Sequence, residues 1–445
     1  NGDMLWADSD VSLWCWKTDA ECCHDVCAAG SQPASLSQKT LSMKPLLLFC
    51  PALLALSLPA CSAAKKSADA EPVNRYAMMA QETLDSLYSN YGIDGESLLR
   101  ENYPHDSSYK ATYLAGDDHN VSNPYSYLWP FSGTFSAVRA LYDATGDSAY
   151  MVMLDTKVLP GLERYLDATR QPTAYASYVN SAPASDRFYD DNVWLGIDFT
   201  DMYLATGRQG YLDKAKMIWV FIESGRDEVL GDGIYWCEQK KHSKNTCSNA
   251  PGSVYALKLF KATGDSAYLD AGRELYEWTK QALQDTTDCL YFDNVALNGR
   301  IGKAKYAYNS GQMLQSASLL YGLTGEGRYL DEARLIAESA HRHFFSGKAT
   351  DAKGDFPLVG KGNVWFTAVM MRGFDELYKT DGDPKYMDDF VRNLDYAWNN
   401  ARDTSCGLFH EDWSGKDKDA KKWLLTQAAM VEMQAIAASY FSSKE

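Results

Sequence analysis

At 445 residues the chain is long enough for two or three ordinary domains, or for one large repeat or barrel domain. Its 43 Lys and Arg against 59 Asp and Glu leave a formal net charge of −16, which argues against a polyanion such as nucleic acid as the main partner. Aromatics make up 13% of the chain, with 12 Trp and 29 Tyr, a richness that suits both stacking on sugar rings and a helical core.

Residues 1–42 show no helical period and begin without Met. Four cysteines crowd into them, Cys15, Cys22, Cys23 and Cys27, but no second ligand pair follows at zinc-site spacing. Then comes "MKPLLLFCPALLALSLPAC", residues 43–61, with one basic residue, Lys44, an apolar run to Leu58 and a small-residue end. This is the layout of a bacterial signal peptide, and "LPAC" resembles a lipobox, in which Cys61 becomes the lipidated first residue. The apolar run is short for a membrane span. The expected organisation is an upstream extension over 1–42, a signal peptide over 43–60, a small-residue tether over 61–72 and one domain over 73–445. The protein is expected to be exported and held to a membrane, in the periplasm or at the cell surface, by a lipid on Cys61. Export permits disulfides. Cys237, Cys247, Cys289 and Cys406 remain for them, and Cys237 with Cys247, bracketing "CEQKKHSKNTC", is the expected pair.

From residue 141 a pattern repeats: "LYDATGDSAYM", "MYLATGRQGYLD", "LFKATGDSAYLD", "LYGLTGEGRYLD" and "LYKTDGDPKYMD". The shared glycine falls at 146, 207, 264, 325 and 382, at intervals of 61, 57, 61 and 57 residues, which signals a repeat architecture. Each unit reads as helix, left-handed glycine cap, helix. The first helices are predicted over 128–144, 189–205, 251–262, 309–323 and 364–379. The second are predicted over 147–168, 208–224, 265–284, 326–345 and 383–401. Helices over 73–90 and 422–441 are left to pair with each other if the chain closes. Twelve helices in six hairpins then predict an all-α, closed (α/α)6 toroid. The long connections, 91–127, 169–188, 225–250, 285–308, 346–362 and 402–421, share one face, where binding and chemistry belong.

The inner helices start at that face. Trp129, Asn192, Trp194, Asn249, Asn309, Gln312 and Trp365 lie at these starts, and flat rings with amide donors suit a sugar. "RFYDDNVWLGIDF" adds two adjacent carboxylates, Asp190 and Asp191. An Asp at a helix start commonly caps it, and a calcium site needs more carboxylates than this stretch supplies. Two carboxylates can also cleave a glycosidic bond, one as neutral acid and one ionised. Adjacent Cα atoms are about 3.8 Å apart, so the carboxyl groups can flank one anomeric carbon at the short separation of a retaining enzyme. Their repulsion raises one pKa, as a general acid requires.

"YDDNVWLGIDF", with "NAPGSVYALKLFKATGD" and "YAYNSGQMLQSASLLYGLTG", resembles the family 76 glycoside hydrolases, the endo-α-1,6-mannanases, over essentially all of 73–445. The resemblance implies the (α/α)6 fold, retention, and cleavage of α-1,6-linked mannose backbones. It makes Asp190 the nucleophile and Asp191 the acid/base. It implies no metal and no other cofactor, mannan or manno-oligosaccharides as partner, and action as a monomer. The charged loop at 237–247 departs from the family pattern. Rival readings are a mannan transglycosidase, a surface lipoprotein that only binds glycan, and another (α/α)6 enzyme such as an unsaturated-uronide hydrolase. The last would need basic residues that are scarce at the inner-helix starts.

Overall fold

The computed structural model describes residues 72–115 and 124–444, within the unit Ser62–Glu445. The predicted extension, the signal peptide and Cys61 lie outside the described residues. Five helices end on the predicted glycine. Gly146, Gly207, Gly264, Gly325 and Gly382 all take left-handed φ values, from 65° to 74°. Each donates its N–H to the carbonyl four residues back, those of Tyr142, Tyr203, Phe260, Tyr321 and Tyr378. A Cβ there would meet nothing within 4 Å, so glycine is required for its backbone and not for space. In two of the turns an aspartate then caps the next helix, Asp147 on the N–H of Ala149 and Asp265 on that of Ala267.

The inner helices are α2 (Leu128–Thr145), α5 (Tyr189–Thr206), α7 (Thr246–Thr263), α9 (Ala307–Thr324), α11 (Val364–Asp381) and α13 (Leu424–Ser442). They pack in the order α2, α5, α7, α9, α11, α13 and back to α2, which closes the ring. Outside them lie α1 (Pro72–Tyr91), α3 (Ser148–Met153) with α4 (Leu159–Leu162), α6 (Gln209–Glu223), α8 (Ser266–Leu283), α10 (Gly327–Phe344) and α12 (Lys385–Asn400). This is the predicted (α/α)6 toroid. The two rings differ as burial demands. In α9 every residue from Ala307 to Leu320 is buried, whereas α10 buries one stripe, Tyr329, Ala333, Ile336, Ala337 and Ala340 among it. Where α9 crosses α11, a Cβ on Gly311 would stand 2.4 Å from Met370 Cα, so only glycine fits.

The two chain ends are joined as the pattern required. α1 packs on α13. The strand β1 (Asn102–Tyr103) pairs antiparallel with β11 (Lys422–Trp423). Tyr91 donates its hydroxyl to the Lys422 carbonyl at 2.8 Å.

Three expectations need correction. The outer helix predicted over 147–168 breaks into α3, a π turn over Leu154–Val158, α4 and a 3-10 turn over Glu163–Tyr165. Pro160 has no N–H for the α-helical ladder, which shifts to the wider turn ahead of it. α7 begins at Thr246, five residues before the predicted start, and carries Pro251 inside it. The connections are also more regular than loops. β2 (Leu166–Asp167) pairs with β3 (Ala174–Tyr175), β4 (Ser243–Asn245), β5 (Phe292–Ala296) and β6 (Ile301–Lys305) form one antiparallel sheet, β7 (Gly347–Asp351) pairs with β8 (Gly354–Leu358), and β9 (Arg402–Asp403) with β10 (Leu408–Phe409).

Charges inside the ring are paired across neighbouring helices. Arg139 of α2 meets Asp198 of α5 at 2.9 Å. Lys258 of α7 meets Asp201 of α5 at 2.6 Å. Arg372 of α11 makes a two-pronged contact with Glu432 of α13, at 2.5 and 2.9 Å, both side chains almost wholly buried. Removing one partner leaves the other charge buried and uncompensated. Glu432→Gln is therefore expected to lower stability by about 3 kcal/mol in denaturant unfolding. The double variant Glu432→Gln, Arg372→Met should recover part of that loss.

Candidate functional site

The inner-helix starts and the connections enclose a cavity of about 440 Å³ on the loop face. α5 brings Asp190 and Asp191 to its wall. Neither caps the helix: the capping position is Phe188, which makes no side-chain cap bond, and the aspartates are the second and third helical residues. Asp190 Oδ2 accepts the indole N–H of Trp236 at 3.2 Å. Its Oδ1 is buried and has no full hydrogen bond among the described residues. The Cys247 thiol, a weak donor, faces the same carboxylate and also the Tyr308 hydroxyl.

Burial pushes both carboxyl groups up. Asp191 is held well above the usual range, first by burial and then by the charge of Asp190. Asp190 is raised less, because Cys247, Trp236 and the backbone N–H groups at the helix start work against its burial. No cation pairs with either among the described residues. The two neighbours thus differ chemically. Asp190 ionises first, near the positive end of the helix, and Asp191 keeps its proton to higher pH.

Aromatic rings build the rest of the wall. Trp194 and Trp365 meet edge to face at 5.0 Å, and Trp129 meets Trp365 at 5.5 Å. Tyr308 stacks flat on Phe366 at 4.0 Å. Trp194 and Trp365 are only 3% exposed, so they form the floor, while Trp129 is half-buried. Behind the wall, the buried carboxylate of Glu101 accepts the Tyr113 hydroxyl at 2.6 Å, the Tyr127 N–H at 3.0 Å and the Trp423 indole N–H at 3.1 Å. It satisfies polar edges that burial would otherwise strand.

Of the residues predicted for the site, the structure thus brings Asp190, Asp191, Trp129, Trp194 and Trp365 together. The amides go elsewhere. Asn192 pairs with both the N–H and the carbonyl of Tyr175, at 2.8 and 2.9 Å, and with the Phe188 carbonyl. Asn249 does the same to Ile234, at 2.6 and 2.8 Å, and to the Asn245 carbonyl. Both amides are fully buried and spent on backbone. Asn309 and Gln312 are buried outside the cavity wall; Gln312 donates to Gln315 at 2.8 Å. The expected Cys237–Cys247 disulfide is absent, and all four described cysteines are free thiols. Cys237 sits on an extended segment bridged to Phe188 and faces Gln239, whereas Cys247, in the first turn of α7, points to Asp190. Sequence reading missed Trp236, Cys247, Tyr308 and Asp293. Cys247 did carry a signal, since it closes the Cys-bracketed stretch 237–247 that stood out, and Trp236 lies one residue before that stretch.

Residues 102–356 match the sequence model of Glycosyl hydrolase family 76. Among solved structures, a family 76 glycoside hydrolase (mannosidase) from Bacteroides thetaiotaomicron VPI-5482 is similar, with 35% identity and TM-score 0.75, over 83% of this chain and 100% of that one. So is the α-1,6-mannanase of Salegentibacter sp. HEL1_6, with 25% identity and TM-score 0.65, over 82% of this chain and 99% of that one. A mannan endo-1,6-alpha-mannosidase of Saccharomyces cerevisiae is 27% identical over 258 residues, 53% of each chain. The chain spans about half or less of the length of the curated relatives it matches.

A buried carboxyl whose folded pKa lies above its unfolded value costs stability as pH rises from the unfolded value towards the folded one, because the folded state binds the extra proton. Asp191 is such a group. Asp191→Asn should therefore melt at a higher temperature than the parent near pH 7, and the gap should close towards about pH 4. A variant less stable than the parent at every pH would mean that Asp191 serves the helix and not the cavity.

Proposed function

The chain belongs to glycosyl hydrolase family 76, and we propose that it is a retaining, endo-acting hydrolase of α-1,6-mannosidic linkages. The observation that carries this reading is the asymmetry of Asp190 and Asp191. One carboxylate faces indole and thiol donors, and its neighbour has only burial and a like charge acting on it. Asp190 attacks the anomeric carbon through its carboxylate while Asp191 passes its proton to the departing glycosidic oxygen. Asp191, now ionised, then takes a proton from water, whose oxygen displaces Asp190 and restores the starting configuration. The carboxyl groups of adjacent residues suit the short separation of about 5 Å that a covalent intermediate needs. Substrate class rests on likeness: an inactive variant of the Salegentibacter α-1,6-mannanase, with two consecutive aspartates changed to alanine, was solved with α-1,6-mannotetrose. The wall of Trp129, Tyr113 and Tyr306 offers ring faces for such a chain.

Unbranched α-1,6-mannan tests the reading. Asp190→Asn and Asp191→Asn are both expected to fold and to lose turnover by several orders of magnitude. On a mannoside with a good leaving group, which needs no protonation, Asp191→Asn should still form the glycosyl-enzyme and Asp190→Asn should not. Azide should rescue Asp191→Asn and give an α-mannosyl azide. A β-configured first product from the parent enzyme, read by proton NMR, would overturn retention; product masses separate hydrolysis from transfer to sugar.

We also propose export as a lipoprotein processed before Cys61, on the basis of Lys44, the apolar run and "LPAC". Cells fed a clickable fatty acid should label the parent and leave Cys61→Ser unlabelled.

A further inference from the structure

The stretch that sequence reading marked as unusual, 237–247, lies against the catalytic pair. Residues 235–244 fold back on themselves, with Tyr235 bridged to Lys244 and Trp236 N–H on the Ser243 carbonyl at 3.3 Å. The Trp236 carbonyl in turn accepts the N–H of Tyr189, the first residue of α5, at 2.9 Å. The Trp236 ring packs on Phe188 at 5.0 Å. Backbone and ring together fix the indole at the entry to α5, where its N–H meets Asp190 Oδ2. The chain then runs through β4 into α7, whose second residue, Cys247, reaches the same carboxylate from the next helix.

We propose that this hairpin and the start of α7 form a two-sided holder for Asp190. Trp236 and Cys247 are positioning residues that fix the carboxylate, the indole through Oδ2, and favour its ionised form. Only the consequence for turnover rests on Asp190 being the nucleophile. Holding and charge stabilisation are properties of the unliganded protein.

The titratable groups that bear on Asp190 are Asp191 on its own helix, Cys237 on the hairpin, Cys247 on α7 and Tyr308 on α9; Asp293 on β5 acts on the last two. Burial pushes the Cys237 thiol up to about 12 and holds Cys247 and Tyr308 well above their usual values, so all three stay protonated across neutral pH. Burial raises the carboxyl groups of Asp190, Asp191 and Asp293 above the usual carboxylate range.

The test is the ionisation midpoint of Asp190 in the unliganded protein, followed by carbon NMR of carboxyl-labelled aspartate and assigned with Asp190→Asn. An Asp293→Asn control removes the third carboxylate from the spectrum. Trp236→Phe keeps the ring and loses the N–H. It should raise the midpoint by about one pH unit, since removing a donor from an ionised carboxylate disfavours that form. The acid limb of kcat/KM on α-1,6-mannotetraose should move up with it, with about tenfold loss below the limb and little above. Cys247→Ala should shift the midpoint in the same direction and Cys247→Ser, which keeps a donor, should restore it. If Trp236→Phe melts well below the parent, the alanine and serine variants at Cys247 decide the matter. A midpoint that stays put in Trp236→Phe, or in Cys247→Ala where that variant has to stand in, overturns the holder, whatever the kinetics show. A midpoint that moves while the kinetic limb stays put keeps the holder and instead removes Asp190 from the role of nucleophile.

Discussion

Six helices packed around a common axis leave charged groups no water, and this constraint organises the molecule. Within the ring it is met by pairing. Arg139 with Asp198, Lys258 with Asp201 and Arg372 with Glu432 each join two neighbouring inner helices, so these ion pairs are also links of the ring. The Arg372–Glu432 link ties α11 to α13, the last inner helix to be made, while Arg139 and Asp198 tie α2 to α5. At the loop face the same burial goes unanswered. Among the described residues Asp190 and Asp191 have each other and no cation. The contrast between paired charge inside and unpaired charge at the cavity marks the latter as the candidate site, because a carboxyl group that is costly to ionise is one that can hold and give up a proton near neutral pH.

The two regions touch. The guanidinium of Arg372 lies 5.9 Å from the centre of the Trp194 ring, and Trp194 forms the floor with Trp365. The floor therefore rests on the ion-paired interior and the pair of acids stands beside it on α5. Shape and chemistry are held by the same inner helices, and the loops supply the walls.

The architecture was legible because a left-handed glycine is a backbone requirement that few other residues meet. Five of them at a near-constant spacing fixed hairpin number and ring closure, and the structure bears out each glycine cap. Pro160 and Pro251 were harder. One forces a wide turn and the other is tolerated within α7, and periodicity does not tell those outcomes apart. The catalytic candidates were legible because adjacent carboxylates are costly. The amides were misleading for a physical reason. Strands that run into the inner helices leave backbone N–H and C=O groups with no partner, and an Asn or Gln in the first helical turn can satisfy both at once. Asn192 does so for Tyr175, Asn249 for Ile234 and Gln427 for Phe409, each also bonding the carbonyl four residues back. An amide at the mouth of a cavity looks the same in sequence whether it serves sugar or backbone.

That recurring amide also explains how flexible-looking connections can carry a precise site. Asn249 pins Ile234, two residues before Trp236, and Asn192 pins Tyr175 while standing next to Asp191 on α5. The strand that delivers the indole is thereby clamped to α7, and the helix that delivers the carboxylates is clamped to its own incoming strand. Indole and carboxylate arrive from different segments, yet each is anchored to a rigid inner helix within a few residues of the contact. A hydrogen bond of 3.2 Å between them is then set by helix packing and not by loop conformation, which is the condition for a preorganised site. Asn192 and Asn249, expected to face a sugar, instead stand behind the cavity wall and fix the segments that carry Asp190 and Trp236.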